Sequence, residues 1–406
     1  MQLIHRDILD DIRRFFDTTD VIVVHGARQV GKTCLIRLME GELRSAGENT
    51  HYIDLEDLRM LSVLDEGPES LISYLREGGI LTEAKLYLFV DEIQYLSKPS
   101  SFIKLLRDHY SDRIKLTVSG SSSFDIRAKF TDSLAGRTVN FELFPLSFRE
   151  FLRFKGSRIR LHEGTTSQPV IQQLVSFFNE YVLYGGYPRL VLDTEISAKE
   201  TYLSQVINTY IRKDIRDLAD IRHVQKFNKL LEVLASQCGQ LLNVSELANT
   251  AGLSRPTVEK YLFILEQTYV IQLLRPFSRN IRSELFKTPK IFFHDNGIAN
   301  LLSLKGFPRT ITGGMLENAV FSEFRRARDV SEFFYWRTQD GKEIDFIVPR
   351  GDSLIPVEVK MTGLRARSTA LRYFYEHYRP PKMVCMTLKK GVESQDVEIR
   401  YPWEGI

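Results

Sequence analysis

The sequence GARQVGKT at positions 26–33 constrains this chain of 406 residues more than any other feature. It matches G-x-x-x-x-G-K-[ST] in full, follows the apolar run VIVVH and opens a segment with helical spacing, the context in which this motif is credible. Gly26 and Gly31 let the backbone curl with its N–H groups facing inward, and the helix N-terminus adds partial positive charge, so phosphate is the natural occupant. Lys32 would reach the β- and γ-phosphates, and Thr33 would bind Mg²⁺. The residues of this predicted Walker A loop are Gly26, Ala27, Arg28, Gln29, Val30, Gly31, Lys32, Thr33 and Cys34.

A second motif lies about sixty residues downstream, where the apolar run KLYLFV ends in Asp91 and Glu92. A carboxylate at the C-terminal end of a buried strand, beside a phosphate loop, is where a P-loop protein holds its magnesium ion. Asp91 is therefore the predicted magnesium acid of a Walker B motif. The neighbouring Glu92 is placed to activate water for hydrolysis.

Two further positions are weaker candidates at the same site. The strand KLTVSGSSS ends in a run of hydroxyls, so Ser119 or Ser121 would sense the γ-phosphate if this strand lies beside the Asp91 strand. Arg137 is either a charge sensor or arginine finger, or a surface ion-pair partner.

The arrangement of apolar runs predicts an α/β multidomain chain. Short strands rich in Val, Ile and Leu alternate with helical segments in the first third, as in a mostly parallel sheet buried on both faces. These strands are expected at 21–25, 50–55, 85–91, 114–120 and 137–143. We predict a P-loop ATPase core (1–155), a helical lid or linker (156–222), a winged helix-turn-helix (223–294) and a small C-terminal α/β domain (295–406).

Residues 243–269 predict a helix-turn-helix, because two short amphipathic helices flank the turn Ala251-Gly252-Leu253-Ser254. The second helix begins near Pro256 and would present Arg255, Thr257 and Lys260 to a major groove. The runs YVIQLLRPFSRN and PKIFFHD that follow would form a wing hairpin. A module of this kind binds DNA or serves as a protein-contact spacer, and the residues alone leave both open.

A third group of candidates lies near the C-terminus, with Asp345 in EIDFIV and Glu358 and Lys360 in IPVEVK. Side chains alternate along a strand, so Glu358 and Lys360 share a face, and a hairpin between the two runs would add Asp345. Glu317 from the preceding helix, or less readily Glu323, would complete a set that can hold Mg²⁺ and polarise water against a phosphodiester. The alternatives are an ordinary hairpin with surface acids and a nuclease fold that no longer cuts.

These motifs together resemble the prokaryotic AAA-type ATPases with a DExx box, the archaeal-ATPase-like group, over residues 1 to about 220. The resemblance is carried by GARQVGKT, LFVDEIQYL, LTVSGSSS, SLAGR, FPLSFREFL and YGGYP. It implies a P-loop fold and ATP rather than GTP, with Glu92 as the catalytic glutamate and Asp91 as the magnesium acid. Ser121 and Arg137 fall where the family has its sensor and its conserved arginine.

The C-terminal D…E-x-K arrangement resembles the restriction-endonuclease-like PD-(D/E)xK superfamily over about 313–388, although Ile344 rather than proline precedes Asp345. The whole chain is similar to DExx-box ATPases that carry a C-terminal domain of unknown function with a nuclease-like core. FYWRTQDGKEIDFIV, IPVEVK and FFHDNGIANLL carry that resemblance.

The composition excludes several classes of protein. Hydrophobic residues make up 43% and charged residues 26%, which excludes a disordered or fibrous chain, and 55 − 52 leaves a net charge of only +3. Three scattered cysteines fit a reducing cytoplasm, the first residues carry no secretory signal, and the apolar runs fall far short of the ~20 residues of a membrane span. We expect a cytoplasmic ATPase with ATP and Mg²⁺ as cofactors, coupled to a winged-helix module and a nuclease-like domain that acts on nucleic acid. The alternatives are a nucleotide-driven switch that binds protein and cuts nothing, and a defence or toxin-linked effector. Besides ATP and DNA, the candidate partners are another protein and a second copy of the chain.

Overall fold

The computed structural model describes residues 3–120, 134, 136–161, 167–215, 223–278, 288–327, 330, 332–363, 368–390 and 397–405. The chain divides into two compact units, Met1–Phe144 with Gln267–Tyr269, and Pro145–Glu266 with Val270–Ile406. The finer division into four sequence ranges stays a prediction.

The first unit is built on a five-stranded parallel sheet with the strand order β2-β3-β4-β1-β5. Every residue of β1, β3 and β4 is buried, which confirms strands covered on both faces. The strands are β1 Val21–His25, β2 Asn49–Asp54, β3 Leu86–Asp91, β4 Ile114–Gly120 and β5 Thr138–Glu142. The helices are α1 Ile8–Ile12, α2 Lys32–Ser45, α3 Leu58–Asp65, α4 Pro68–Glu77 and α5 Pro99–Tyr110. All five strands were expected, and β3 lies beside β4 as the serine-run hypothesis required.

Helices dominate the first part of the second unit. They are α6 Phe148–Phe154, α7 Gln168–Tyr184, α8 Pro188–Leu192, α9 Ile196–Val206, α10 Val224–Ser236, α11 Val244–Ala251 and α12 Arg255–Gln267, with a π-helical stretch over Ile207–Asp214. The two short strands β6 Ile271–Leu274 and β7 Lys290–Phe293 pair antiparallel, as the wing hypothesis expected, and residues 279–287 between them lie outside the described residues.

A second five-stranded sheet lies at the C-terminus, in the order β12-β11-β10-β9-β8. Strands β9 and β10 form the expected antiparallel hairpin, whereas β10, β11 and β12 run parallel. The elements are α13 Asn296–Leu304, α14 Gly313–Arg326, β8 Phe334–Arg337, β9 Glu343–Arg350, β10 Ser353–Val359, α15 Thr369–Tyr378, β11 Val384–Met386 and β12 Glu398–Arg400.

The sequence motifs YGGYP and HDNGIAN meet inside the second unit, where α13 caps the C-terminal end of α7. The last carbonyls of a helix lack intrahelical partners. Here the amide of Asn300 donates to the carbonyl oxygens of Val182 and Leu183, and the amide of Asn296 also donates to Val182. The buried carboxylate of Asp295 accepts 2.7 Å from the backbone N–H of Gly186. These motifs thus have a structural explanation.

No helix within the described ranges is long and apolar enough to cross a membrane.

Candidate functional site

The phosphate loop joins β1 to α2 and adopts a backbone that requires glycine at position 26. A Cβ atom at Gly26 would lie 2.1 Å from the carbonyl oxygen of Leu143, so no other residue fits there. Gln29 and Gly31 have φ values of 65° and 99°, and this left-handed geometry curls the loop. Gly31 is also the N-cap of α2, whose first turn carries no acid. The positive end of the α2 dipole is therefore available to an anion.

Lys32 is buried at the first position of α2, and its ammonium is held by the loop itself. Nζ donates to the carbonyl oxygens of Gly26 and Ala27 at 3.1 and 3.0 Å. Burial lowers the pKa of Lys32, and the charges of Glu92 and Asp91 act in the opposite direction. Thr33 follows with an exposed side chain. The two side chains predicted to meet phosphate and magnesium thus lie together at one helix start.

Asp91 ends β3 and is 1% exposed. Its Oδ2 accepts a 2.9 Å hydrogen bond from the hydroxyl of Tyr52, and its Oδ1 accepts from the hydroxyl of Ser119. The backbone N–H of Glu92 donates to the same Ser119 hydroxyl at 3.1 Å. The carboxylate of Asp91 and the hydroxyl of Thr33 are hard oxygen donors, so these residues fit Mg²⁺.

Glu92 lies immediately after Asp91 in a left-handed backbone conformation, with φ of 56°. Such a conformation is uncommon for residues other than glycine, and strain of this kind clusters at functional sites. The side chain is half-buried, and Oε2 accepts from the amide of Gln94. The two acids predicted from sequence are therefore placed differently: Asp91 is buried and held by two hydroxyl groups, whereas Glu92 is half-buried just beyond the carboxyl end of β3.

Tyr52 was not found from the sequence. It lies on β2, next to β3, and the guanidinium of Arg37 from α2 is 3.2 Å from its ring centroid. Burial and the charge of Asp91 raise the pKa of Tyr52. The phenol therefore stays protonated and donates. The hydrogen bond from Tyr52 to Asp91 becomes evident only from the pairing of β2 with β3, because 39 residues separate the two in sequence.

Tyr269 is a second residue that the sequence did not single out. Its hydroxyl donates to Oε1 of Glu142 at 3.1 Å and hydrogen-bonds Nδ1 of His25, the last residue before the phosphate loop. Its ring packs edge-on against Phe144 with centroids 5.7 Å apart. This cluster fixes the ends of β1 and β5.

Arg137 is not brought to the phosphate loop of its own chain. It precedes β5 and lies at the start of the parallel sheet, since the N–H of Val21 donates to its carbonyl oxygen. Five residues of extended chain separate Val21 from Gly26, a distance of about 16 Å along β1. Its Nε donates to Asp108 at 3.0 Å, which matches the surface ion-pair alternative. Ser121 lies outside the described residues, whereas Ser119 contacts Asp91.

The predicted nucleic-acid residues lie at the start of α12. Asn243 caps α11 by accepting from the N–H groups of Ser245 and Glu246, and Gly252 ends that helix with φ of 67°. Arg255 and Lys260 are exposed and Thr257 is half-buried. The guanidinium of Arg255 donates to Glu259 at 3.0 Å.

The C-terminal candidates converge on one face of the second sheet. Val357 pairs with Phe346, so the next pair in register places Glu358 opposite Asp345, on the same face of an antiparallel pair. Nζ of Lys360 lies 2.6 Å from Oε2 of Glu358 and 3.2 Å from Oδ2 of Asp345.

Glu317 from α14 faces the same cluster, whereas Glu323 does not. Oε1 of Glu317 is 3.0 Å from Nζ of Lys290, a lysine of the wing run PKIFFHD that the sequence did not link to these acids. Burial raises the pKa of Glu317 to about 7, and the negative charge of Asp345 acts in the same direction. Glu323 instead accepts from Tyr181 at 2.7 Å and from the N–H of Phe148.

Comparison with known families gives three matches along the chain. An AAA domain matches residues 18–152, a domain of unknown function (DUF8612) matches 176–308, and a second domain of unknown function (DUF4143) matches 312–404.

Among relatives, an uncharacterized protein of Haemophilus influenzae is 29% identical over 86% of this chain and 85% of its own length. An uncharacterized protein of Methanocaldococcus jannaschii is 27% identical over 80% of this chain and 71% of its own. A Walker-type ATPase of Pyrococcus abyssi aligns with 74% of this chain and 96% of its own, at 13% identity and a TM-score of 0.47.

The family matches confirm the predicted AAA-type ATPase domain and the C-terminal domain of unknown function. The parallel sheet, with its glycine loop after β1 and Asp91 at the end of β3, agrees with the first match. The chain therefore combines an AAA-type P-loop domain over residues 18–152 with a DUF4143 domain over residues 312–404.

Proposed function

We propose that this protein binds ATP with Mg²⁺ and hydrolyses it at the phosphate loop. The observation that carries the proposal is the arrangement at the ends of β1 and β3, where the buried ammonium of Lys32 closes a curled glycine loop and is stabilised by the charges of Glu92 and Asp91. A lysine at a helix start and two carboxylates at a strand end supply both signs of charge that phosphoryl transfer needs.

Each residue has a separate task in this proposal. The N–H groups of the loop and the ammonium of Lys32 bind the phosphates, and Thr33 and Asp91 hold the magnesium ion, which when bound neutralises charge on the phosphates. Tyr52 and Ser119 fix the rotamer of Asp91 by donating to its two oxygens. Glu92 orients the attacking water and accepts its proton.

We further propose that the second unit contacts nucleic acid through α11 and α12, with β6 and β7 as the wing of a winged helix. The exposure of Arg255 and Lys260 at the start of α12 supports this, because cations at such a helix start meet phosphates beside a major groove. The rival is a nucleotide-dependent switch that uses the same surface to bind protein. The internal pairing of Arg255 with Glu259 leaves that rival open.

The C-terminal sheet is proposed to have a nuclease-like fold, supported by the β9–β10 hairpin and by the convergence of Asp345, Glu358 and Lys360. Its carboxylates do not fit a magnesium ion as they are placed. Oxygens of Asp345, Glu358 and Glu317 are each within 3.2 Å of a lysine ammonium, so cleavage is not part of the proposed function.

The experiment compares phosphate release from ATP by the purified full-length chain with and without duplex DNA. Hydrolysis that Lys32→Ala abolishes, and that DNA accelerates, supports both parts of the proposal. Hydrolysis that is indifferent to DNA supports the switch, and absence of hydrolysis in the wild type, with or without DNA, contradicts the catalytic part.

A further inference from the structure

The C-terminal acidic cluster contains a second lysine, Lys290, which the sequence linked only to the wing run PKIFFHD. Lys290 is the first residue of β7, and its side chain is 3% exposed. Its Nζ lies 2.6 Å from Oε1 of Glu343, at the start of β9, and 3.0 Å from Oε1 of Glu317 on α14. The ammonium also lies 5.7 Å from the ring centroid of Tyr335 on β8. One side chain therefore joins four elements of the second unit.

Lys360 does the same for the neighbouring pair of acids. Lys360 contacts Glu358 and Asp345. In addition, Oδ2 of Asp345 accepts from the N–H of Val359 at 2.7 Å, and Oε1 of Glu358 accepts from the hydroxyl of Ser368 at 3.3 Å. Both carboxylates are thereby turned toward protein donors.

Lys290 and Lys360, each with its two neighbouring acids, form one electrostatic cluster. The charges of Glu317, Asp345 and Glu343 raise the pKa of Lys290 against the effect of its burial, and those of Asp345 and Glu358 do the same for Lys360. Asp345 thus interacts with both ammonium groups. Four carboxylates share two lysine ammonium groups, and an unpaired charge beside Lys290, whose side chain is 3% exposed, would be costly.

We propose that Lys290 is the resident cation of this cluster, supplying the positive charge that a divalent metal would otherwise supply. Magnesium requires several open oxygen ligands in near-octahedral geometry. An ammonium within 3.0 Å of Glu317 and Glu343 takes their oxygens and repels a second cation. Within the described parts of the chain, no three His, Cys, Asp or Glu side chains are grouped so as to hold a metal ion.

The cluster is therefore a metal-independent ion-pair network that ties β7, α14 and β9 together. This inference concerns the second unit alone and holds whether or not the first unit hydrolyses ATP.

The test is thermal unfolding of the full chain without nucleotide, in EDTA and in millimolar Mn²⁺ or Mg²⁺. We expect the wild-type Tm to be the same in all three solutions. Lys290→Met keeps the aliphatic stem, should lower the Tm by at least about 5 °C, and should regain part of it with Mn²⁺, because the freed carboxylates can then bind the ion. Adding Glu317→Gln to Lys290→Met should also restore Tm, since it removes one uncompensated charge.

Lys305→Met is the matched control, because that lysine is 77% exposed and its removal should leave the Tm unchanged. A wild-type Tm that rises with Mn²⁺, and no longer rises in Asp345→Asn, would overturn the proposal, as would a Lys290→Met variant as stable as the wild type. If Lys290→Met does not fold, the wild-type titration with the two metals still decides, because metal binding that Asp345→Asn abolishes contradicts a resident lysine.

Discussion

The hydroxyl of Tyr52 donates a 2.9 Å hydrogen bond to Oδ2 of Asp91, across the neighbouring strands β2 and β3. Arg37 covers the tyrosine ring from α2, the helix that begins at the phosphate loop. The acid that we propose to hold magnesium is thus oriented by a tyrosine whose ring packs against a side chain of α2.

Tyr52→Phe should therefore lower kcat/KM for ATP by roughly tenfold, the effect of losing one hydrogen bond to a charged group. The ring and its contact with Arg37 remain, so the Tm should change little. Steady-state phosphate release as a function of Mg²⁺ concentration measures the effect, and the variant should require more Mg²⁺. Tyr110→Phe on α5 is the control, and equal behaviour of the two variants would remove Tyr52 from the site.

The nucleic-acid proposal predicts a change in salt dependence. Arg255→Ala and Lys260→Ala should each weaken binding to duplex DNA and reduce the slope of log affinity against log salt by about one unit for each phosphate that the protein no longer neutralises. Fluorescence anisotropy at several salt concentrations gives both quantities, with Lys305→Ala as a control. Unchanged affinity and slope in both variants would favour the protein-contact alternative.

The close contact of α13 with α7 predicts that Gly297 cannot be replaced by a larger residue without loss of stability. A Cβ atom at Gly297 would lie 2.1 Å from the carbonyl oxygen of Tyr184, so Gly297→Ala must displace one of the two helices. We expect a loss of at least about 2 kcal/mol in the free energy of unfolding, measured by urea denaturation. Gly313→Ala is the control, since a Cβ atom there meets nothing within 4 Å. Equal stability of the two variants would mean that this helix contact is not as close as described.

Lys115 on β4 predicts a pH effect on stability in the first unit. Its ammonium donates to the carbonyl oxygens of Thr18 and Asp20, and burial lowers its pKa to about 8. The unfolded chain has a lysine pKa of about 10.4, so between these values the unfolded state binds a proton that the folded state has released. Stability from this group should therefore rise as the pH increases from about 8 to about 10.

The check is the difference in unfolding free energy between the wild type and Lys115→Met over that pH interval. The difference should move in favour of the wild type as the pH increases. A difference that stays constant would show that Lys115 keeps its ordinary pKa in the folded chain.

Local sequence predicted the parts of the site that lie within one strand–loop–helix segment. The phosphate loop, Asp91 and Glu92 were predicted because glycine spacing and the end of an apolar strand can be recognised from neighbouring residues. Tyr52 and Lys290 were not, because their contacts depend on which strands become neighbours. Arg137 was placed at the site by its motif, yet the direction of β5 carries it to the other end of the sheet. The β9–β10 hairpin was predictable because two strand-like runs follow each other closely, whereas the three-residue β12 was too short to recognise.

The most direct test of the account is a pair of measurements on Glu92→Gln, namely binding of a fluorescent ATP analogue and phosphate release from ATP. The substitution keeps the size of the side chain and removes the proton acceptor. We expect affinity close to that of the wild type and a turnover number lowered by about 10² or more, while Lys32→Ala should lose both binding and turnover. Hydrolysis at the wild-type rate by Glu92→Gln would contradict the role of Glu92 and with it the proposed ATPase mechanism.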